Sequence, residues 1–342
     1  AERILRRFAS KAFRRPVQQE NLDILVQLAQ SKFNAGATAF EALKIGFRAV
    51  LCSPDFLYLQ EREGRLDDYA LATRLSYFLW STQPDQELLD LAANGKITQA
   101  GVLEAQTKRM LKDDRARVFT EEFTARWLEL YKIGTMPPSN KDFKTYYVDG
   151  LEHSMKKETQ HFFDYVLKNN LPVSEFLDSD VTFVDGGLAR LYGMKGINGP
   201  NFQKVSVKSD PRRGGLFGQA SILTASANGI DTSPVIRGIW VLENILGKPP
   251  SPPPPDVEPL EPDIRGATTI RDQLDKHRKV ETCYECHRTI DPLGFALENY
   301  DPIGGWRDHY PRRGEDGPLI DASGELPNGT EFQGVGEFKE AL

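Results

Sequence analysis

"PVQQENLDILVQLAQSKF", residues 16–33, decides the fold class. Leu22, Ile24, Leu25 and Leu28 recur at helical spacing, and Pro16 suits a first helical turn. The same texture continues on either side. "ATAFEALKIGFRAVLCSP" (37–54) is a second helical pattern, stopped by Pro54. "DDYALATRLSYFLWST" (67–82) sets Tyr69, Ala72, Leu75 and Leu79 on one stripe. Further helices are expected near 85–93, 99–112, 114–131 and 143–169. Leu, Ala, Glu and Lys are abundant and strict alternation is weak, so the chain reads as mainly α rather than α/β.

From about residue 170 the texture changes. Gly, Pro and Asp rise in "LPVSEFLDSDVTFVDGGLARLYGMKGINGPNFQKVSV" (171–207), and "FQKVSV" reads as a short strand. Asp178, Asp180 and Asp185 lack the full ligand spacing of a calcium loop and take turn and helix-cap roles. In "DTSPVIRGIWVLENILGKPP" (231–250), Ser233 is the N-cap and Pro234 the first helical residue, with Gly247 and Pro249 closing the helix. "KPPSPPPPD" (248–256) imposes an extended polyproline spacer, a segment type that also binds partner domains. A short helix follows in "TTIRDQLDKHRKV" (268–280), and "LIDASGELPNGTEF" (319–332) reads as a hairpin turning near Asn328-Gly329.

The expected organisation has five parts. Residues 1–64 form an N-terminal helical domain and 65–195 a helical bundle. Residues 196–255 are a helix plus proline-rich connector, 256–315 the segment that carries the cysteine pair read below, and 316–342 the start of a further domain. A chain of 342 residues with net charge −6 has the core-forming capacity for several domains. It offers no strongly basic surface, so nucleic acid is not an expected partner. No run of roughly 18 apolar residues exists, so no membrane span is expected. The basic amphipathic start and the newly begun helix at the end read as cuts through a larger polypeptide.

The chemistry sits in "ETCYECHRTIDPLGFALENYDPIGGWRDHY" (281–310), which holds two of the three cysteines. The third, Cys52, reads as a small buried hydrophobe. Cys283, Cys286 and His287 form C-x-x-C-H, the attachment pattern of c-type haem. Two cysteines three residues apart share one side of a helical turn, so each sulfur reaches one vinyl group. The adjacent histidine is then directed at the iron. A proximal histidine gives its second ring N–H to a fixed acceptor. "IDPLG" (290–294) reads as a rigid turn that brings the Pro292 carbonyl there. Leu293, Phe295, Leu297, Ile303 and Trp306 are the expected porphyrin walls. Arg307, Arg288 and the Trp306 indole are the expected propionate donors, with Arg213 and Arg237 more remote.

The sixth ligand stays open between His277, His309, a methionine (Met110, Met136, Met155 or Met194) and an open site, with His277 favoured. Zinc on His277, Cys283, Cys286 and His309 is the structural rival, although the spacing is irregular and His287 goes unused. A thioredoxin-like pair lacks its βαβ context. Glu158-x-x-His161 has the helical spacing of a di-iron ligand pair, but no second such pair exists, so it reads as a surface histidine beside an ion-pair neighbour. No G-x-S-x-G, P-loop, H-E-x-x-H or Rossmann fingerprint is present.

"HRKVETCYECHRTIDPLGFALENYDPIGGWR" (277–307), "RRGGLFGQASILTASANGIDTSPVIRGIWVLENILGKPPSPPPPDV" (212–257), "RLSYFLWSTQPDQELLDLAANGKI" (74–97) and "RRFASKAFRRPV" (6–17) together resemble the planctomycete-type cytochrome c-like proteins. These are large secreted chains built of several domains of unknown function. The resemblance spans essentially the whole chain, and the segment 319–342 resembles the start of that family's last domain. It implies one covalent haem c on Cys283, Cys286 and His287, and export to the periplasm or beyond. His277-Arg278 matches the family pattern, while Ile290 stands where relatives carry Met. The family supplies no substrate. The expected function is therefore extracytoplasmic electron transfer with an unidentified redox partner protein or neighbouring domain, and homo-oligomerisation is allowed. A haem enzyme of peroxidase or oxidoreductase type, or a surface assembly protein with a structural haem, are the alternatives.

Overall fold

The computed structural model describes residues 1–59, 61, 63–251, 268–312 and 315–342. The polyproline reading from residue 252 onward, and the domain boundary at 255/256, lie outside the described residues. The fold is mainly α, with three small antiparallel two-stranded sheets among the described residues. The chain divides into two compact units, Ala1–Phe119 and Thr120–Leu342.

In the first unit, α1 (Glu2–Ala12), α2 (Gln19–Asn34) and α3 (Ala39–Leu51) bury Leu5, Ala9, Leu22, Leu25, Ala29 and Val50 in one cluster. Of the expected stripe on α2, Leu22 and Leu25 are buried together with Ala29, while Ile24 and Leu28 are exposed, so the covered face is narrower than expected and includes Ala29. Pro16 also precedes α2 instead of opening it. Val17 is drawn into the core, and its N–H donates to Ser10 Oγ at 3.1 Å. α3 begins with the Thr38/Glu41 capping box, and Ser53 caps the single turn α4 (Pro54–Leu57). Cys52, at the end of α3, is exposed rather than buried. A second cluster gathers α5 (Asp68–Trp80), α6 (Gln86–Ala93) and α7 (Val102–Leu111) around Ala72, Leu79, Leu88 and Met110. The Trp80 indole donates to the Met110 carbonyl at 3.0 Å.

α8 (Arg117–Trp127) stops short of the expected 131, because Glu129 takes a left-handed conformation (φ 58°). Gly150 (φ 63°) splits the expected 143–169 helix into α9 (Lys144–Val148) and α10 (Leu151–Lys168). α10 is the spine of the second unit, burying Leu151, Met155, Phe162 and Val166. β1 (Val181–Val184) pairs with β2 (Gln203–Ser206) from Val181↔Ser206 to Val184↔Gln203, which gives "FQKVSV" its strand. Between these strands lies α11 (Gly186–Leu191), and α12 (Ala220–Ala225) follows them. α13 (Pro234–Asn244) starts as expected, with Ser233 Oγ accepting from the Ile236 N–H at 3.3 Å.

α14 (Ile270–His277) carries a Thr269/Asp272 capping box, and α15 (Glu281–Phe295) holds the cysteines. The expected turn at 290–294 is absent: α15 runs through Pro292. An internal proline costs a helix about 3 kcal/mol, and burial of Ile290, Leu293, Gly294 and Phe295 offsets it. α15 lies closely along α13. A Cβ on Gly294 would stand 1.8 Å from the Pro234 carbonyl oxygen, and one on Gly238 would stand 2.0 Å from that of Ile290. The two glycines are reciprocal notches, each admitting the other helix's backbone. After α15 the chain forms β3 (His309–Arg312) with β4 (Glu315–Leu319), then β5 (Gly324–Glu325) with β6 (Glu331–Phe332). The second hairpin turns at Gly329 (φ 84°), as its sequence predicts. α16 (Val335–Ala341) ends the chain and puts Phe338 into the core.

Candidate functional site

Cys283, Cys286 and His287 occupy positions i, i+3 and i+4 of α15 and therefore share one face. Cys283 is buried, while Cys286 and His287 are partly exposed. One turn further on, Asp291 is fully buried, and its Oδ1 lies 2.8 Å from His287 Nδ1. In the tautomer with Nδ1 donating to this carboxylate, Nε2 keeps a lone pair for a metal. The other carboxylate oxygen, Oδ2, is buried with no hydrogen-bond partner. Arg278 Nε, 3.9 Å away, is too distant for a hydrogen bond and acts on it only as a charge.

His277, the last residue of α14, brings its ring edge-on to that of His287, with centroids 4.8 Å apart. Burial, and then the proximity of His287, hold the His277 pKa below its ordinary 6.5, so its imidazole stays neutral and ligand-competent. Of the residues expected at the iron, the structure brings this one to His287. His309 is exposed at the start of β3, opposite Leu319. Met110 and Met155 are core residues, Met194 packs beside the core of the second unit, and Met136 is exposed.

Several expected roles are reassigned. The acceptor for His287 is the Asp291 side chain. The Pro292 carbonyl instead receives the Ala296 N–H at 3.2 Å, since the helix continues there. Leu293, Phe295, Leu297 and Ile303 are already enclosed by protein, with at most 3% exposure, so they are core before they are porphyrin walls. Phe295 lies under the Arg271 guanidinium at 3.9 Å. Trp306 stands edge-on to Tyr300, and its indole donates to Asp308 at 3.0 Å.

The arginines are mostly committed. Arg237 is fully buried and gives its N–H groups to the carbonyls of Leu297 (2.7 Å), Tyr300 (2.8 Å) and Asp301 (3.0 Å). It is a clamp on the segment after α15, not a propionate donor. Arg213 bonds the Gly304 carbonyl at 2.8 Å and lies over the Tyr192 ring. Arg307 pairs with buried Glu298 at 2.9 Å and with Thr232 at 2.8 Å. Arg288 is exposed and pairs with Glu285 at 3.2 Å.

The remaining acidic residues have structural partners. Asp185 caps α11 and receives Ser154 Oγ at 2.5 Å; Asp178 meets Lys339 at 3.2 Å and Asp180 meets Lys208 at 3.1 Å. Glu158 is not a surface neighbour of His161. It is fully buried, accepting from Tyr192 (2.6 Å) and Thr182 (2.7 Å), while exposed His161 packs at a tilt against Phe183 and Phe202. Among the described residues, no group of three or more His, Cys, Asp or Glu is arranged to hold a metal ion, so the rival zinc set is not assembled.

The donor set fits a haem on its proximal side: two thiols, an imidazole with its lone pair free, and a buried acceptor that fixes the tautomer. Sequence reasoning missed Asp291 because the breaker reading of Pro292 hid the continuous helix. The aspartate four residues after the histidine was the available signal.

Three domain families match the chain in order. PSD5, protein of unknown function (DUF1595), matches residues 1–61. PSD4, protein of unknown function (DUF1592), matches 66–194, and PSCyt3, protein of unknown function (DUF1588), matches 213–310. These are domain families of the planctomycete cytochrome c-like group, so the resemblance read from the sequence stands at that level. No curated protein and no solved structure matches.

Proposed function

We propose that the chain is a c-type cytochrome, with one haem joined by thioethers to Cys283 and Cys286 and ligated by His287, serving one-electron transfer outside the cytoplasm. The observation that carries this reading is the His287 imidazole, anchored through Nδ1 by Asp291 at 2.8 Å on the same helix face as both cysteines. The cytochrome-like character of the matched domain families supports it. When bound, haem supplies a reversible one-electron iron couple. The chain's own residues do the rest. The two thiols retain the group, which matters where a lost cofactor would be diluted beyond recovery. His287 would be directed at the iron, and Asp291 holds the proton on Nδ1. His277, whose ring centroid lies 4.8 Å from that of His287, is the nearest other imidazole and would have to move away from His287 to become a second ligand. No helix among the described residues is long and apolar enough to cross a membrane. We assign electron exchange to a partner protein or an adjoining domain.

The test is expression in a host with cytochrome-maturation machinery, followed by acid–acetone extraction and a pyridine haemochrome spectrum. Retained c-type bands, lost in Cys283→Ala/Cys286→Ala, support the proposal. Colourless protein, or stoichiometric zinc without a Soret band, refutes it.

A further inference from the structure

The pairing of His287 with Asp291 differs from what the sequence led one to expect. The backbone alternative is spent, because the Pro292 carbonyl takes the Ala296 N–H. Asp291 itself has no solvent exposure, and its Oδ2 lacks any hydrogen-bond partner. A carboxylate stripped of water in this way is costly unless something compensates it. The compensation present is one N–H from His287 at 2.8 Å and the more remote charge of Arg278 at 3.9 Å. A desolvated carboxylate with one strong donor pulls hard on that donor's proton, which leaves the imidazole more electron-rich at Nε2.

We infer that Asp291 is a positioning residue for the axial imidazole: its buried carboxylate, rather than a main-chain carbonyl, holds the His287 Nδ1 proton and biases a bound iron toward the ferric state. The inference rests on the haem reading above. In the loaded chain the iron would pass between ferric and ferrous by one electron exchanged with the external donor or acceptor, and the part of this chain's residues would be to keep the Nδ1 proton within the His287–Asp291 pair. A more basic imidazole, with a negative charge behind it, stabilises the more positive iron. Arg278 opposes this effect, because its guanidinium lies beside the carboxylate and draws on the same negative charge. The chain thus holds two adjustable groups, of opposite sign, behind one ligand.

The test is an equilibrium redox titration of the haem-loaded chain, with dithionite as the one-electron donor and ferricyanide as the acceptor. Asp291→Asn keeps the shape and an acceptor oxygen but removes the charge. The expected result is a shift of at least tenfold toward ferrous iron, a rise of about 59 mV for one electron. An intact haemochrome with the equilibrium moved less than twofold overturns the inference. Should Asp291→Asn fail to fold or load haem, Arg278→Gln on the partly exposed rim decides instead. A shift of about twofold or more toward ferric iron supports the inference, and an unchanged potential overturns it. A wild-type chain without covalent haem sinks the parent reading, an outcome visible before any potential is measured.

Discussion

Replacing Gly294 by alanine tests the crossing of α13 and α15, on which the placement of the cysteine helix depends. An alanine Cβ at 294 would stand 1.8 Å from the Pro234 carbonyl oxygen, 2.4 Å from its carbon and 2.7 Å from its Cα. Real contacts stay beyond about 3 Å, and all three obstacles are backbone, so no rotamer change relieves them. α15 must retreat from α13 by roughly 1 Å or more, and the same retreat loosens Gly238 against Ile290. A gap of that size forfeits a quarter to a half of the dispersion well for each lining atom. Overpacking costs about 3 kcal/mol at its usual upper end, while alanine returns roughly 1 kcal/mol of helix propensity over glycine. The expected net loss is about 2 kcal/mol, or ~4–8 °C in Tm for a unit of this size. The chain has two units, so a single melting curve is ambiguous. Scanning calorimetry combined with hydrogen exchange of peptides covering α13 and α15 isolates the relevant transition. Gly336→Ala in α16, where a Cβ meets nothing within 4 Å, is the control and leaves Tm unchanged or slightly higher. A Gly294→Ala chain with wild-type Tm and wild-type exchange protection over residues 281–295 would refute the close-crossing argument.

Two further perturbations probe buried charge. Burial pushes the Glu158 carboxyl from 4.5 up to about 7, although Tyr192 and Thr182 donate to it. Its folded value exceeds its unfolded one, so between about pH 4.5 and 7 the native state holds more protons than the unfolded state. Stability therefore falls as pH rises through that window, by on the order of 3 kcal/mol. Urea midpoints measured from pH 4.5 to 8 should show this slope, and Glu158→Gln should flatten it; an unchanged slope in the variant counts against the assignment. Arg237→Met removes a buried cation, whose pKa burial lowers to about 10, together with donors to four carbonyls. The expected loss is about 3–5 kcal/mol by urea denaturation, and it should be as large in haem-free protein as in loaded protein. Indifference of the haem-free chain would return Arg237 to the role of a propionate donor.

Local grammar was the most legible part of the sequence. Ser233 and Pro234 begin α13, Gly329 turns the last hairpin, and the helical periods of the first half become helices. These signals depend on a few neighbouring residues. The misread features are those settled by a distant partner. Pro292 reads as a breaker because its cost is local, whereas the burial of Leu293 and Phe295 that offsets it depends on the rest of the core. Ile24 and Leu28 are as apolar as Leu22 and Leu25, and only the position of α1 and α3 decides which stripe is covered. Arg237 and Arg307 read as available cations because their carbonyl and carboxylate acceptors lie on other turns of the chain. The C-x-x-C-H face was legible because its three members lie within five residues, and Asp291 became visible once the helix was known to continue.

α15 changes character along its length, and that change organises the candidate site. From Glu281 to Thr289 only Cys283 is buried; from Ile290 onward the helix is enclosed, apart from the partly covered Pro292. The N-terminal half therefore presents Cys286 and His287 at an accessible rim, with Cys283 buried beneath it. The C-terminal half is rooted by the glycine crossing and continues into the segment held by Arg237. His287 stands near the boundary, and its hydrogen bond runs inward to Asp291 rather than outward to water. A ligand anchored this way has little freedom to reorient when the charge on its metal changes, because moving the imidazole would strand a buried carboxylate. A solvated loop supplying the acceptor would let water compete for the Nδ1 proton and allow the ring to turn. In a chain loaded with haem as proposed, the rooted helix would do for the imidazole what the thioethers would do for the cofactor: each would remove a degree of freedom before any electron arrives, and together they would keep the reorganisation of a one-electron change small.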